Sequence, residues 1–165
     1  MLALEGIPGI YIHSLIGTKN DYQRAENSGH NRAINRHQWN YDSLKSELAD
    51  ANSHHHQVYN HLKSLLKIRC NQTAFHPNAT QFTLHLGSQL FGFWRQSMDR
   101  EQSIFCVSNI TDNDQTLQLS DLNLINTEDW FDLISHEKFG ESNQVIKLVP
   151  YQTVWITNTQ PLDDG

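Results

Sequence analysis

Arg32 and Arg36 stand four residues apart near the end of a polar stretch, 17–39, that also carries Lys19, Arg24 and Asn31. Against those cations the stretch sets only Asp21 and Glu26, in a chain whose formal net charge is −6. A guanidinium is planar and offers several N–H donors in a fixed fork, which suits sugar hydroxyls, carboxylates or phosphate. A solvated loop whose arginines make surface pairs is the alternative that composition alone supports.

Other groups with chemical potential lead nowhere. His54, His55 and His56, with His61 beyond, raise the question of a metal. Consecutive residues of a helix point about 100° apart, so the triplet cannot converge on one ion. His54 and His61 are about two turns apart, too far for one tight site, and no metal is expected. Cys70 and Cys106 are distant in sequence and read as reduced thiols, with no base to activate either. Asp21, Glu26 and Asp42 match no catalytic motif, and there is no Gly-x-Ser-x-Gly elbow, CxxC pair, phosphate-binding P-loop or zinc signature. Three Asn-x-Thr sequences, at Asn71, Asn78 and Asn109, read as chance in a chain without a secretory leader.

The elements that must position the arginines can be read from the apolar pattern. Residues 10–16 form a continuous apolar run entered through Gly6, Pro8 and Gly9, which predicts a strand buried on both faces. A long polar loop leaving the C-terminal end of such a strand is where barrel enzymes build their sites. Residues 1–5 read as a helix end feeding that strand. A short helix is expected over 41–51, with Asp42 or Ser43 near its N-cap. Asn52 or Ser53 then caps a stronger helix reaching about Asn71, with Val58, Tyr59, Leu62, Leu65 and Leu66 on one face. Its cations Lys63, Lys67 and Arg69 favour the C-terminal half, which suits the helix dipole.

After His76-Pro77 the period changes to two. Phe82, Leu84 and Leu86 alternate with Gln81, Thr83 and His85, and Gly87-Ser88 turns the chain into 90–94. Further short strands are expected at 104–107, 116–119, 130–134, 145–149 and 153–156, which argues for an antiparallel sandwich. Phe82, Phe91, Phe93, Trp94, Trp130 and Trp155 read as core in alternating strands, with a sugar-stacking platform as the lesser reading. No run approaches the ~20 apolar residues of a membrane span. At 165 residues the chain is also shorter than the roughly 250 of a complete (β/α)8 barrel.

Two segments carry a resemblance. Gly6-Ile7-Pro8-Gly9-Ile10-Tyr11 resembles the eighth barrel strand of the α-amylase superfamily, glycoside hydrolase family 13. Gly17-Thr18-Lys19-Asn20-Asp21, followed by Gly29-His30-Asn31-Arg32-Ala33-Ile34-Asn35-Arg36, is similar to the sucrose phosphorylase subgroup, especially its glucosylglycerate and sucrose 6-phosphate phosphorylase-like members.

The resemblance implies an α+β fragment: the last strand, loop and helix of a (β/α)8 barrel (1–76), a small antiparallel β-sandwich domain (77–160) and a tail (161–165). It implies the C-terminal part of a retaining glycoside phosphorylase, moving a glucosyl group between phosphate and an acceptor of the sucrose, sucrose 6-phosphate or glucosylglycerate type. The catalytic carboxylates would lie upstream, so this chain alone is expected to be inactive, and no catalytic residue is assigned within it.

In the substrate-binding set, Arg32 would sit at the floor of the glucosyl subsite, preceded by Asn31, and Arg36 would brace the loop. Lys19, Asn20 and Asp21 would approach the acceptor. The partners implied are a glucosyl donor, phosphate and the remainder of the barrel, in the cytoplasm, with no cofactor, nucleic acid or membrane. The alternatives are a stand-alone β-sandwich carbohydrate-binding or structural module, and a fragment of an α-glucosidase-like hydrolase. A lone parallel strand leaves backbone groups unpaired, so residues 1–40 are expected to be poorly supported in isolation, whereas 80–157 can hold a core.

Overall fold

The computed structural model describes residues 1–122, 130–139 and 145–159. The expected tail at 161–165 lies outside the described residues, as does residue 160. Packing separates two units, Pro8–Lys67 on one hand and Met1–Ile7 with Ile68 onward on the other. These units do not coincide with a boundary at 76, because residues 1–7 and 68–76 are fastened to the β structure.

The β unit contains β1 (Thr80–Leu84), β2 (Leu90–Gln96), β3 (Ser103–Asn109), β4 (Gln115–Gln118), β5 (Trp130–Asp132), β6 (Lys138–Phe139), β7 (Val145–Leu148) and β8 (Thr153–Thr157). Six of these form one sheet in the order β1-β2-β3-β8-β5-β6, and β4 pairs with β7. Every pairing is antiparallel. One face of the large sheet supplies Phe105, Val107, Val154 and Ile156 to a core that Leu117, Ile146 and Leu148 of the strand pair close from the other side. That is the sandwich the period-two pattern predicts. Most of the strand positions read from the sequence lie inside these elements; β6 is the strand that pattern missed, being only two residues long.

The aromatic residues behave chiefly as core. On the sandwich face, Phe82 stacks on Trp94 with centroids 4.8 Å apart, Trp94 on Phe105 at 5.7 Å, and Phe105 meets Trp130 at 5.5 Å. On the opposite face, register places Phe93, Cys106 and Trp155 in one row. Phe75 packs edge-on against Trp155 at 4.9 Å. Burial holds the Cys106 thiol far above its ordinary pKa, so it is an inert core residue.

This second face also contains two arginines that the sequence pattern hides. Arg95 is 0% exposed; it donates to the carbonyls of Ala3 at 2.9 Å, His76 at 2.8 Å and Ala79 at 3.3 Å. Arg69 is buried too, donating to the carbonyls of Leu2 and of Gly6 (3.0 Å) and lying over the Phe75 ring. Arg69 stands in the last turn of its helix, as expected, but its guanidinium is committed to these carbonyls. Burial lowers the pKa of both groups. Together they hold Met1–Ile7, where Leu2 and Ala3 are buried and Leu4 turns back on Met1. The helix end expected at 1–5 is thus a turn.

In the second unit the expected strand over 10–16 is absent. Ile12–Leu15 is a short helix, α1, with Tyr11 and Ile12 exposed and Ile16 buried. No neighbouring strand offers partners for its backbone, so local bonds such as Leu15 N–H to Tyr11 O (3.0 Å) take their place. The barrel strand implied by the resemblance is therefore not formed in this chain. α2 (Tyr22–Ser28), α3 (Tyr41–Ala49) and α4 (His54–Cys70) follow. Asn40, not Asp42 or Ser43, caps α3, its side-chain oxygen accepting the amides of Asp42 and Ser43. Ser53 Oγ accepts the His55 amide at the start of α4, as expected of a cap. Among the described residues of Pro8–Lys67 only Ile16 and Ser53 are fully buried.

Candidate functional site

The 17–39 stretch is a closed, structured loop. It starts at Gly17, whose φ of +62° disfavours a side chain and where a Cβ would crowd Val58 at 3.0 Å. The Thr18 amide bonds to His13 O at 2.8 Å, and Thr18 Oγ1 accepts the Trp39 indole N–H at 2.9 Å. The polar run read as aperiodic contains α2 and a 3-10 turn, Asn31–Asn35. A chain with no apolar period gave no sign of α2; the signals available were the Asp21 cap and Gly29, which ends the helix in the left-handed conformation.

Asp21 closes the base. Its amide donates to Ile34 O at 2.7 Å, its Oδ1 accepts the Arg24 amide at 2.9 Å, and its Oδ2 meets His37 Nδ1 at 2.9 Å. The His37 side chain, then the Arg24 amide, hold the Asp21 carboxyl below its ordinary pKa. His37 stands edge-on to Trp39, and Trp39 edge-on to His55. Of these, His37 was not singled out from the sequence, and His55 was weighed there only as a metal ligand. His55 and His56 are engaged through Nδ1 with the carbonyls of Ile16 (2.7 Å) and Leu48 (2.8 Å). Among the described residues no group of three or more His, Cys, Asp or Glu is placed to hold a metal.

The loop presents a cavity of 520 Å³ whose lining includes Arg24, His30, Asn31, Arg32 and Arg36, with no acidic residue. Asn31, Arg32 and Arg36 of the expected set therefore converge, joined by Arg24. Among the described residues the Arg36 side chain has no hydrogen-bond partner, and it lines this same cavity. Lys19 and Asn20 lie apart from them, lining cavities of 380 Å³ and 660 Å³, and Asp21 lines the larger of the two. The arrangement offers charge-assisted donors and no carboxyl pair, so it can bind a polar or anionic group but holds no acid and base for bond cleavage.

No family model matches the chain. It is 36% identical over 156 residues to the glucosylglycerate phosphorylase of Allomeiothermus silvanus, covering 94% of this chain and 25% of that protein. With the Escherichia coli glucosylglycerate phosphorylase the identity is 31%, over 94% of the chain and 26% of the relative. The chain resembles the C-terminal part of a family 13 glycoside phosphorylase. It spans about a quarter of the length of these relatives. The solved trehalose-6-phosphate hydrolase of Bacillus licheniformis matches 94% of the phosphorylase-like chain and 36% of its own, with a TM-score of 0.64 and 20% identity, which shows a shared fold. No helix of the described residues is long and apolar enough to cross a membrane.

Proposed function

We propose that the chain supplies the sugar- and acceptor-facing loop, and the C-terminal β domain, of a retaining phosphorylase that moves a glucosyl group between phosphate and glycerate. The observation that carries this reading is the convergence of Asn31, Arg32 and Arg36 on one cavity that has no carboxylate of its own. A retaining transfer needs two carboxyl groups flanking the scissile bond, roughly 5 Å apart. Those groups belong to a barrel that completes the site, residues 1–76 being its closing segment and 77–160 the following domain.

In that setting Arg32 donates to ring hydroxyls and pairs with an aspartate of the completed pocket. A desolvated hydroxyl needs such a partner, and so does a guanidinium removed from water. One carboxylate displaces the aglycone from C1 while the other protonates the departing oxygen. A phosphate oxygen then attacks C1, the ester bond to the enzyme breaks, and glucosyl phosphate leaves. Lys19, Asn20 and Asp21 flank the acceptor side. A cytoplasmic setting belongs to the same reading, because the second substrate is free phosphate.

The β unit argues against the stand-alone sugar-binding module. Its exposed phenyl rings, Phe82 (43%) and Phe91 (46%), fall on opposite faces of the sheet by register, and the other aromatics lie largely within the two cores. They build no shared stacking surface.

The test is a chimera in which this chain replaces the matching quarter of the Allomeiothermus silvanus enzyme. Phosphate-dependent release of glucosyl phosphate from glucosylglycerate is expected. Hydrolysis that ignores phosphate would favour the hydrolase alternative, and a folded but inert chimera would reject the reading.

A further inference from the structure

A neutral glucose ring accounts for one guanidinium of the cavity, and the cavity holds three. Arg24 and Arg36 line it beside Arg32, with His30 between them in sequence and no Asp or Glu in the wall. None of the three guanidinium groups has a hydrogen bond or close ion pair among the described residues. Asp21, at the base of the loop, is already committed to His37 and to the Arg24 amide. Arg24 feels the Asp21 carboxylate through space, yet three like charges around a wall with no acid repel one another, in a molecule that is otherwise net negative. An oxyanion in the cavity removes that repulsion and gives the planar forks their natural acceptor. The volume of 520 Å³ falls within the usual range for small-ligand sites and admits a small anion beside a sugar ring.

We propose that Arg24 and Arg36, beside Arg32, hold the oxyanion of the acceptor: orthophosphate in one direction of transfer, and the carboxylate of a small hydroxy acid such as glycerate in the other. The assignment rests on the phosphorylase reading for the identity of the two anions, and on the cavity alone for the presence of an anion site. One cationic pocket then serves both directions, because each acceptor offers an oxyanion next to the oxygen that attacks C1.

The experiment titrates the 165-residue chain, followed by backbone NMR, with sodium phosphate alone and separately with sodium glycerate alone. Saturable shifts centred on the amides of Gly29, His30 and Ala33 are expected with both. The double variant R24A/R36A should weaken each by about tenfold or more, since every charge-assisted bond lost is worth roughly that factor. Arg36 is exposed and Arg24 half-buried, so circular dichroism checks that the variant folds, and R24K/R36K should restore part of the affinity. Phosphate shifts without glycerate shifts would overturn the shared-pocket claim; absence of saturable shifts with either anion would overturn the site. In the chimera, R24A/R36A should raise KM for phosphate and for glycerate by the same factor. An active chimera with both values unchanged rejects the anion site and leaves the phosphorylase reading standing. Saturable anion binding with an inert chimera does the reverse.

Discussion

Replacing Arg95 by Met tests whether a buried guanidinium without a carboxylate stabilises the β unit. Two effects oppose each other. Removing the charge relieves the cost of burying it, which is why hydrophobic replacements of buried ions are often neutral or better. Against this, the substitution strands the carbonyls of Ala3 and Ala79, which Arg95 reaches at 2.9 and 3.3 Å; the His76 carbonyl loses a 2.8 Å bond but keeps the Ala79 amide. A buried acceptor left without its donor costs about 1–3 kcal/mol, and the Ala3 and Ala79 carbonyls together put the loss at ~2–6 kcal/mol. The relief offsets part of this loss, because the Arg95 Nε lacks a partner in the wild type and the side chain is 0% exposed. The expected net effect is a destabilisation of about 3 kcal/mol, or a Tm lower by roughly 10 °C. Thermal unfolding by circular dichroism measures it. Hydrogen exchange adds a local readout, because the Glu5 amide, now bonded to Gln81 Oε1 at 2.9 Å, should lose protection when residues 1–7 come free. A Met variant as stable as wild type, with Glu5 still protected, would refute the clamp.

Asn109→Ala should also weaken the β unit, by about 2–4 kcal/mol in chemical denaturation, because one buried amide serves five bonds. It donates to the carbonyls of Asn113, Leu148 and Val149 and accepts from the Thr111 amide and hydroxyl. Loop closure at Asp21 should depend on acid pH. Its folded pKa lies below the ordinary 3.8, so the stabilisation is complete above that value and is lost as pH falls through the lowered one. NMR of Ile34 and His37 should show the loop loosening in that window, and D21N should abolish the transition.

What was legible in the sequence was the β domain. Phe82, Leu84 and Leu86 announced a strand, and Leu90 to Trp94 its partner, because alternation along a half-buried sheet leaves a mark at every second residue. The arginines of the second face were not legible. Arg69 falls in a helix end where cations are ordinary, and Arg95 follows an aromatic run in a strand, so neither type nor spacing marks a residue bonded to carbonyls of residues 2–6 and 76–79. The run at 10–16 was misread for a related reason. Its apolar residues suit a strand with neighbours on both sides, and no strand among the described residues pairs there. In the candidate site, charge and spacing drew attention to Arg32 and Arg36, and the resemblance suggested a role for them; the structure places both on one cavity. Arg24 was not marked in this way, because its place in the cavity depends on the Asp21 cap and the Gly29 stop that fold α2 back on the 3-10 turn.

The central claim, that Arg32 serves a glucosyl pocket completed by barrel carboxylates, meets its most direct test in the chimera. Glucosyl phosphate release from glucosylglycerate is compared between wild type and R32A under saturating phosphate. A fall in kcat/KM on the order of 10- to 100-fold is expected, the worth of hydrogen bonds from a charged donor. Equal rates for the two proteins, with the variant folded, would contradict the account.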